Sequence, residues 1–512
     1  MIPNLFKTIK LNGTGSYLSK LLLINLIFFV ARIVWVVFNN TDLFSEEAQY
    51  WLWSKNLSYS YYSKPPLIAF VNFLSTSVLG NTEIGVRINA IIIGLILPIL
   101  VYRFAYTLFK NHHIAFTSAL ILMAMPFYHY ISLFFTTDSL VTLFWLLTMM
   151  YFYAASEKNK VNDWIWAGCF LGLAIMSKYS ALLFYPVVFL YVLFFKKHLF
   201  KNKGLYVFTA VSVILCIPIL FWTIKYDSAN LKHVLTLLGG HKKTLSVEKG
   251  ILNILEYIGG QILILSPLLL LPACIFMLRK KGQGIFKPYS LQIQYLFFPL
   301  LFVWLFILLI AYKRIGVNWL CFAYATVPIL LGYLYSKYFN FRHLKIYIGV
   351  TLVLLVLIVN PVLFDFFGMS NVYSAKNDPL HRMYGWKGLG EKVSGLINDS
   401  ADTNVFIMSN NYHIASQLAF YTVSNPQTYC INTGRRMNQF DMWPGLEQFE
   451  NKGYDAIYVS KKEAPQELLN SFEKMDIYTH YSVFYRNKYP IKFHIYLLKG
   501  FKEFNDKKPN TF

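Results

Sequence analysis

The stretch KLLLINLIFFVARIVWVVF, Lys20–Phe38, is long and apolar enough to cross a bilayer, because about 30 Å of hydrocarbon takes roughly 20 mainly apolar residues as a helix. Similar runs follow at 88–107, 114–132, 138–155, 164–177, 180–195, 205–223, 258–278, 291–312, 317–336 and 343–363. The pattern predicts about eleven spans, the shorter ones borrowing length from their flanks. The run 67–80 is apolar but short, and it contains Asn72, Ser75, Thr76 and Ser77. It is expected to lie along the interface rather than across it.

Composition agrees with a polytopic membrane protein. The 512 residues are 56% hydrophobic and 14% charged, with a mean hydropathy of +0.44, whereas soluble domains are about 45–50% apolar and about 25% charged. The net charge of +22 does not point to nucleic acid. Much of it falls in short clusters between apolar runs, at Lys196–Lys203, Arg279–Lys287 and Lys337–Lys345. Such clusters are the cytoplasmic anchors of membrane helices, not a stripe that tracks phosphates. Four of the five cysteines lie inside apolar runs and Cys430 stands alone, so neither a disulfide framework nor a metal cluster is expected. No small-residue cleavage site follows Phe38, so the first run is expected to be retained as a helix.

With the N-terminus inside, the inward loops carry more Lys and Arg than the outward ones. An odd number of spans then puts the C-terminal tail outside, together with loop 39–87. The expected organisation is a membrane domain over 1–370 and an extracytoplasmic α/β domain over 371–512. In the tail, NVFIMS, DAIYVS and FHIYLL have strand length, while HIASQLAFY and APQELLNSFEKM carry helical patterns.

The chemistry is concentrated just after the first span, in DLFSEEAQYWLWSKNLSYSYYSKPPLIAF, Asp42–Phe70. Glu46 and Glu47 sit there among six tyrosines and tryptophans. Adjacent acids on a helix diverge by about 100°, so one can face a reacting centre as general base while the other orients basic groups. The bland reading is a solvated pair capping a short helix. Pro65 and Pro66 fix the chain direction, so Lys64 is held at a defined place, either as a point charge for a lipid phosphate or as an interfacial anchor. In FFTTDSL, Phe134–Leu140, Thr137 or Asp138 is expected to cap a helix, and Asp138 is also a candidate for the site. Lys178 in MSKYS either snorkels or reaches a phosphate. His241, Lys242 and Lys243 follow two glycines in the basic loop 224–257 and suit an anionic head group.

These segments carry a family resemblance. FSEEAQYWLWSKNLSYSYYSKPPLIAF, EIGVRINAIIIG, TTDSLVTLFW, LGLAIMSKYSALLFYP, GGQILILSPLL and RIGVNWLCFAY, in this order, with RMYGWKGLGEKV and RRMNQFDMW in the tail, resemble the bacterial branch of the dolichyl-phosphate-mannose–protein mannosyltransferase family. That family is glycosyltransferase family 39, with relatives that include the aminoarabinose transferases of lipid A. The resemblance implies a GT-C type enzyme of the bacterial inner membrane, with its site on the periplasmic side. Its donor would be a polyprenyl-phosphate sugar, and its acceptor lipid A, another glycolipid or a protein. By the same resemblance Glu46, where relatives usually carry Asp, is the base, and Glu47 is its companion. Lys64 holds the donor phosphate, with Arg87, Lys178, His241 and Lys242 as further phosphate contacts. Asp138 joins the catalytic acids. Tyr62, Asn318, Arg435, Gln439 and Trp443 are expected to touch substrate. Ser63 stands where relatives are often acidic, which weakens a metal site there. A lipid phosphate is already a good leaving group, so no cofactor is required, although a divalent cation is compatible with the reaction.

Two other classes compete. A transporter or flippase for a lipid-linked sugar would need ionisable residues at mid-membrane and discontinuous helices in paired halves, which these spans do not display. A non-catalytic scaffold would be expected to lose its loop acids, and both are kept.

Overall fold

The computed structural model describes all residues except 1–14, 40, 241–245, 281–283, 286, 314–315, 369–372, 400–403, 508 and 510–512. His241, Lys242 and Lys243 therefore lie outside the described residues. The chain divides into two compact units: Met1–Trp35, Arg87–Leu220 and Leu238–Val356 in one, and Val36–Val86, Phe221–Leu237 and Leu357–Phe512 in the other. The loop 39–87 thus groups, up to Val86, with the tail and not with most of the span that precedes it.

The first unit is helical. The elements that concern it are α1 (Gly15–Phe38), α4 (Glu83–Phe109), α5 (His112–Ala124), α6 (Pro126–Leu133), α7 (Thr137–Lys158), α8 (Val161–Ser177), α9 (Phe184–Phe195), α10 (Lys203–Lys225), α12 (Val247–Ile264), α13 (Pro267–Arg279), α14 (Ser290–Ala311), α15 (Val327–Tyr338) and α16 (Phe341–Val359). Seven helices of the described residues are long and apolar enough to cross a membrane, and two bent pairs would bring the number to nine. This is a multi-pass membrane protein with seven to nine candidate spans instead of about eleven. The difference lies in α8 and the stretch ending in α9, which match the expected runs 164–177 and 180–195 but are too short to count.

The expected span 258–278 also needs correction. It crosses a 103° bend between α12 and α13, where Ser266 takes a φ of 69° and Pro267 begins the next helix. Proline is tolerated at a first helical position because its missing N–H has no partner there anyway. Pro126 begins α6 in the same way after a 70° bend. Packing between helices uses small residues, as expected where lipid removes the hydrophobic drive for association. Gly168 and Gly172, four apart on α8, let α10 approach so closely that an added Cβ would lie 2.5 Å from the Phe208 carbonyl oxygen and 2.8 Å from Leu215.

In the second unit, β1 (Val405–Ser409), β2 (Thr428–Cys430), β3 (Asp455–Ser460), β4 (Phe472–Tyr485) and β5 (Tyr489–Phe501) form one sheet in the order β2-β1-β3-β5-β4. The pairings of β1 with β2 and β3 are parallel, and those of β5 with β3 and β4 are antiparallel. All of β3 is buried, as befits a central strand covered on both faces. Ile457, Val459, Phe493 and Ile495 face one core with Trp386, Leu389, Ile414 and Leu418, residues of α18 (Trp386–Asp399) and α19 (Tyr412–Tyr421). Phe406, Met408, Tyr458 and Leu498 face the other. The three expected strands are present. The expected helix in APQELLNSFEKM survives only as α20 (Gln466–Leu469), because Phe472 onward pairs with β5.

The first loop is built into this unit through α2 (Ser45–Lys55) and α3 (Leu67–Leu79). α3 covers the run 67–80 and is too short to count as a span. Trp51 packs edge-on against Phe420 at 4.9 Å. The Leu43 N–H donates to Tyr421 Oη at 2.7 Å, and Gln417 Nε2 donates to the Leu43 carbonyl at 2.7 Å. Buried Asp42 accepts from the Trp386 N–H at 2.6 Å, so it caps α18 from far away in the chain. A carboxylate at a helix N-terminus satisfies orphan donors and meets the positive end of the dipole. Asp42→Ala is expected to lower stability by about 1–2 kcal/mol, the usual cost of a lost cap, seen as a reduced midpoint in detergent melting. An unchanged midpoint would show that the cap contributes nothing.

Candidate functional site

The second unit gathers the loop residues around α2. Glu47 is fully buried, and its Oε2 accepts the Phe44 N–H at 3.0 Å, closing the helix start. One acid of the pair is thus the cap. Glu46, one residue earlier, is half-buried and faces cations: Lys64 and Arg382 act on it electrostatically. Burial raises its carboxyl above the ordinary range, opposed by a backbone hydrogen bond and those two cations, while Glu47 adds to the rise. A carboxylate moved toward neutral pH is a better general base than an ordinary one.

Lys64 is positioned by the aromatic stretch before it. Tyr61 stacks on Trp53 with ring centres 4.4 Å apart, and its hydroxyl donates to the Trp53 carbonyl at 3.0 Å. The Tyr61 N–H donates to the Lys64 carbonyl at 3.1 Å, closing a turn that Pro65 and Pro66 lead into α3. Tyr62 is clamped between two distant segments. Its N–H donates to Gln439 Oε1 at 2.7 Å, and its ring lies 4.6 Å from that of His233, on α11 (Ala229–Leu235). Burial, then Lys64 and Arg436, push the His233 imidazole down to about 4, so it is neutral. Tyr62 Oη and His233 Nδ1 are buried with no hydrogen-bond partner among the described residues. Buried polar atoms in native proteins almost always find partners, so this pair is poised to meet a ligand oxygen.

Other expected contacts are engaged elsewhere. Arg435 grips Asp441 at 2.7 and 2.9 Å and donates to the carbonyls of Ile431 and Cys430, bracing the turn after β2. Trp443 packs on Phe440 and lines a cavity of about 250 Å³ with Asp441, Gly445 and Asp506. In the first unit, neither Thr137 nor Asp138 caps α7, which begins at Thr137 with Thr136 as its cap. Asp138 Oδ1 meets Lys178 Nζ at 2.7 Å, and its Oδ2 accepts from Asn318 Nδ2 at 2.8 Å. These three expected site residues therefore form one buried cluster linking α7, the end of α8 and the 3₁₀ segment Val317–Thr326. Arg87 is fully buried, 5.5 Å from the Phe134 ring.

Sequence reading missed His233, Arg382, Arg436, His413 and Lys461, all in the second unit. Arg382 and Arg436 stand inside the two tail segments that carried the resemblance. His233, His413 and Lys461 carried no local signal.

The GT-C fold expected from the sequence is borne out by a solved structure. ArnT from Cupriavidus metallidurans superposes with a TM-score of 0.64 at 13% identity, covering 92% of this chain and 97% of that one. The same protein in a structure titled as bound to undecaprenyl phosphate gives 0.65. The family described as dolichyl-phosphate-mannose-protein mannosyltransferase matches residues 63–222, so the resemblance seen in the motifs holds across that stretch. Among curated proteins, the lipid A galacturonosyltransferase RgtD of Rhizobium johnstonii is 24% identical over 409 residues, 78% of this chain and 82% of its own. An undecaprenyl phosphate-alpha-4-amino-4-deoxy-L-arabinose arabinosyl transferase of Proteus mirabilis is 27% identical over 147 residues, 27% of this chain and 26% of its own.

Proposed function

We propose that the chain is an inverting membrane glycosyltransferase, with Glu46 as the general base. It moves one sugar from a polyprenyl-phosphate donor to an envelope acceptor, lipid A, another glycolipid or a protein, on the outer face of the bacterial cytoplasmic membrane. The observation that carries the site assignment is the half-buried Glu46 carboxylate facing Lys64, with Tyr62 Oη and His233 Nδ1 lacking hydrogen-bond partners among the described residues. The likeness to a lipid A galacturonosyltransferase supports the acceptor class, and the likeness to undecaprenyl phosphate-aminoarabinose arabinosyl transferases supports the donor class. Neither gives support to a transport reading.

In the proposed reaction the acceptor oxygen attacks the anomeric carbon opposite the lipid phosphate. The C–O bond to phosphate breaks, the acceptor proton passes to Glu46, and the polyprenyl phosphate leaves with the bonding pair. Lys64 meets the charge that grows on the leaving phosphate, where a fixed cation is most effective. A neutral His233 and the Tyr62 hydroxyl each have a hydrogen for its oxygens. The first unit holds an apolar cavity of about 590 Å³ lined by Leu265, Met277, Phe297, Trp304, Leu330 and others, chemically suited to a lipid tail.

The test is release of free polyprenyl phosphate from a polyprenyl-phosphate sugar by the purified chain, dependent on added envelope acceptor. Absence of acceptor-dependent release across donors carrying different sugars would overturn the reading. Lys64→Ala is expected to raise the apparent KM for donor about tenfold or more, the usual cost of a lost charged contact, with little change in that for acceptor. An unchanged donor KM would remove Lys64 from the phosphate contact.

A further inference from the structure

The tail contributes a cluster of cations with no carboxylate partner among the described residues. Arg382, Arg436 and Lys461 are exposed, and among the described residues none has a carboxylate within 4 Å. Yet all three act on one side chain, His413, at the start of α19. Two chains of contacts connect the segments that carry them. Arg436 Nη2 reaches Tyr412 Oη at 3.4 Å, and the Tyr412 ring lies 4.1 Å from that of His413. Lys461 Nζ sits 5.7 Å from the centre of the Phe493 ring, which packs at 5.0 Å on Trp386, whose indole N–H donates to the Arg382 carbonyl at 2.7 Å.

Like charges held together repel: burial, then Arg382, lower the Lys461 ammonium. Burial and the three cations push His413 down to about 4, which leaves it neutral. Its Nδ1 is buried without a partner among the described residues. The acids near this cluster do not neutralise it. Asp441 is engaged by Arg435, and Glu46 is shared with Lys64 and remains beyond ion-pair distance of Arg382. Fixed cations with unfilled hydrogen-bonding capacity are what a phosphate or carboxylate requires, since charge-assisted hydrogen bonds are about twice as strong as neutral ones.

We infer that Arg382, Arg436, Lys461 and His413 form a binding site for an oxyanion carried by one of the two substrates, beside the base. Arg382 ties the position to the reaction, because it acts on the Glu46 carboxylate as well as on His413. The inference rests on the glycosyltransferase reading for its substrate, and it adds a specificity determinant that the donor lipid phosphate does not supply. The oxyanion has two sources. It is either a phosphate on the acceptor glycolipid or a carboxylate on the transferred sugar.

The experiment separates them. Full-length protein in detergent is titrated with a phosphorylated glycolipid and its dephosphorylated counterpart, and separately with a methyl uronoside and the matching neutral methyl glycoside. In one arm the anionic ligand is expected to bind at least about tenfold tighter than its neutral twin, with affinity falling as salt rises. The variant Arg382→Gln/Arg436→Gln/Lys461→Gln is expected to erase that preference, and Arg382→Lys/Arg436→Lys to keep part of it. All three side chains are exposed, and an unchanged melting midpoint without ligand checks the fold. A preference in the phosphate arm assigns the acceptor, and one in the uronoside arm assigns the sugar. Wild-type protein without preference in either arm, or a triple variant that retains it, overturns the site. Loss of transfer chemistry itself is read separately, through Glu46, so the two failures are distinguishable.

Discussion

Glu46→Gln is expected to slow sugar transfer by about 10²- to 10⁴-fold, the range that a positioned general base contributes. Gln is nearly isosteric and cannot accept the acceptor's proton, whereas Lys64, Tyr62 and His233 are untouched. Donor affinity is therefore expected to hold while kcat falls. Turnover within tenfold of wild type would remove Glu46 from catalysis. The same carboxyl sets the acid limb of the reaction. Its value is raised by burial, so kcat/KM is expected to climb with pH through a midpoint above the ordinary glutamate value of about 4.3. A limb at or below that value would contradict the buried setting.

Stability moves in the opposite direction to activity. A carboxyl whose folded-state value lies above its unfolded one binds its proton more tightly when folded. Its contribution is fully present below the unfolded value and is lost as pH rises through the folded one. Wild type thus carries a destabilising charge at neutral pH that Glu46→Gln lacks. The melting midpoint of the variant is expected to exceed that of wild type near pH 7, and the gap to close as pH falls below the carboxylate range. A variant less stable than wild type at pH 7 would mean that the carboxylate is held by attractions stronger than its burial.

The expected spans were legible because apolar length alone decides whether a helix can cross a bilayer, and all fall on helical segments, two of them on bent pairs. What escaped is tertiary. The bend at Ser266 lies inside an unbroken apolar run, where no charge marks it, and only Pro267 hints at a new helix. The segment Phe472–Lys474–Met475 has fair helix propensity, but β5 offers it a full ladder of partners, and non-local pairing overrides local preference. In the site, the acids and the proline-braced Lys64 were visible because loop residues of that chemistry cluster within one short stretch. Gln439 was visible as a candidate but not as the acceptor for the Tyr62 N–H, a pairing across 377 positions. His233 was missed for the same reason. An isolated histidine acquires meaning only when Tyr62 packs on it, with Tyr62 Oη and His233 Nδ1 both lacking partners among the described residues.

Asp138→Ala is expected to destabilise the fold by about 3–5 kcal/mol, the cost of breaking a buried ion pair by removing one partner. Asp138 and Lys178 are 3% and 11% exposed, and the second carboxylate oxygen holds Asn318. Truncation leaves an ammonium and an amide without their acceptor in a packed setting. The paired replacement Asp138→Leu/Lys178→Met removes both charges at similar volume, and such swaps are often neutral or stabilising. It is expected to recover most of the lost midpoint in detergent melting. A single variant that melts within about 1 kcal/mol of wild type would show that the pair is screened by water and not structural. The double variant also resolves the role of Asp138, because it uncouples packing from charge. Restored folding with transfer still lost would make the carboxylate a participant in the reaction, whereas transfer that returns with stability makes it a brace that holds α7, α8 and Val317–Thr326 in register.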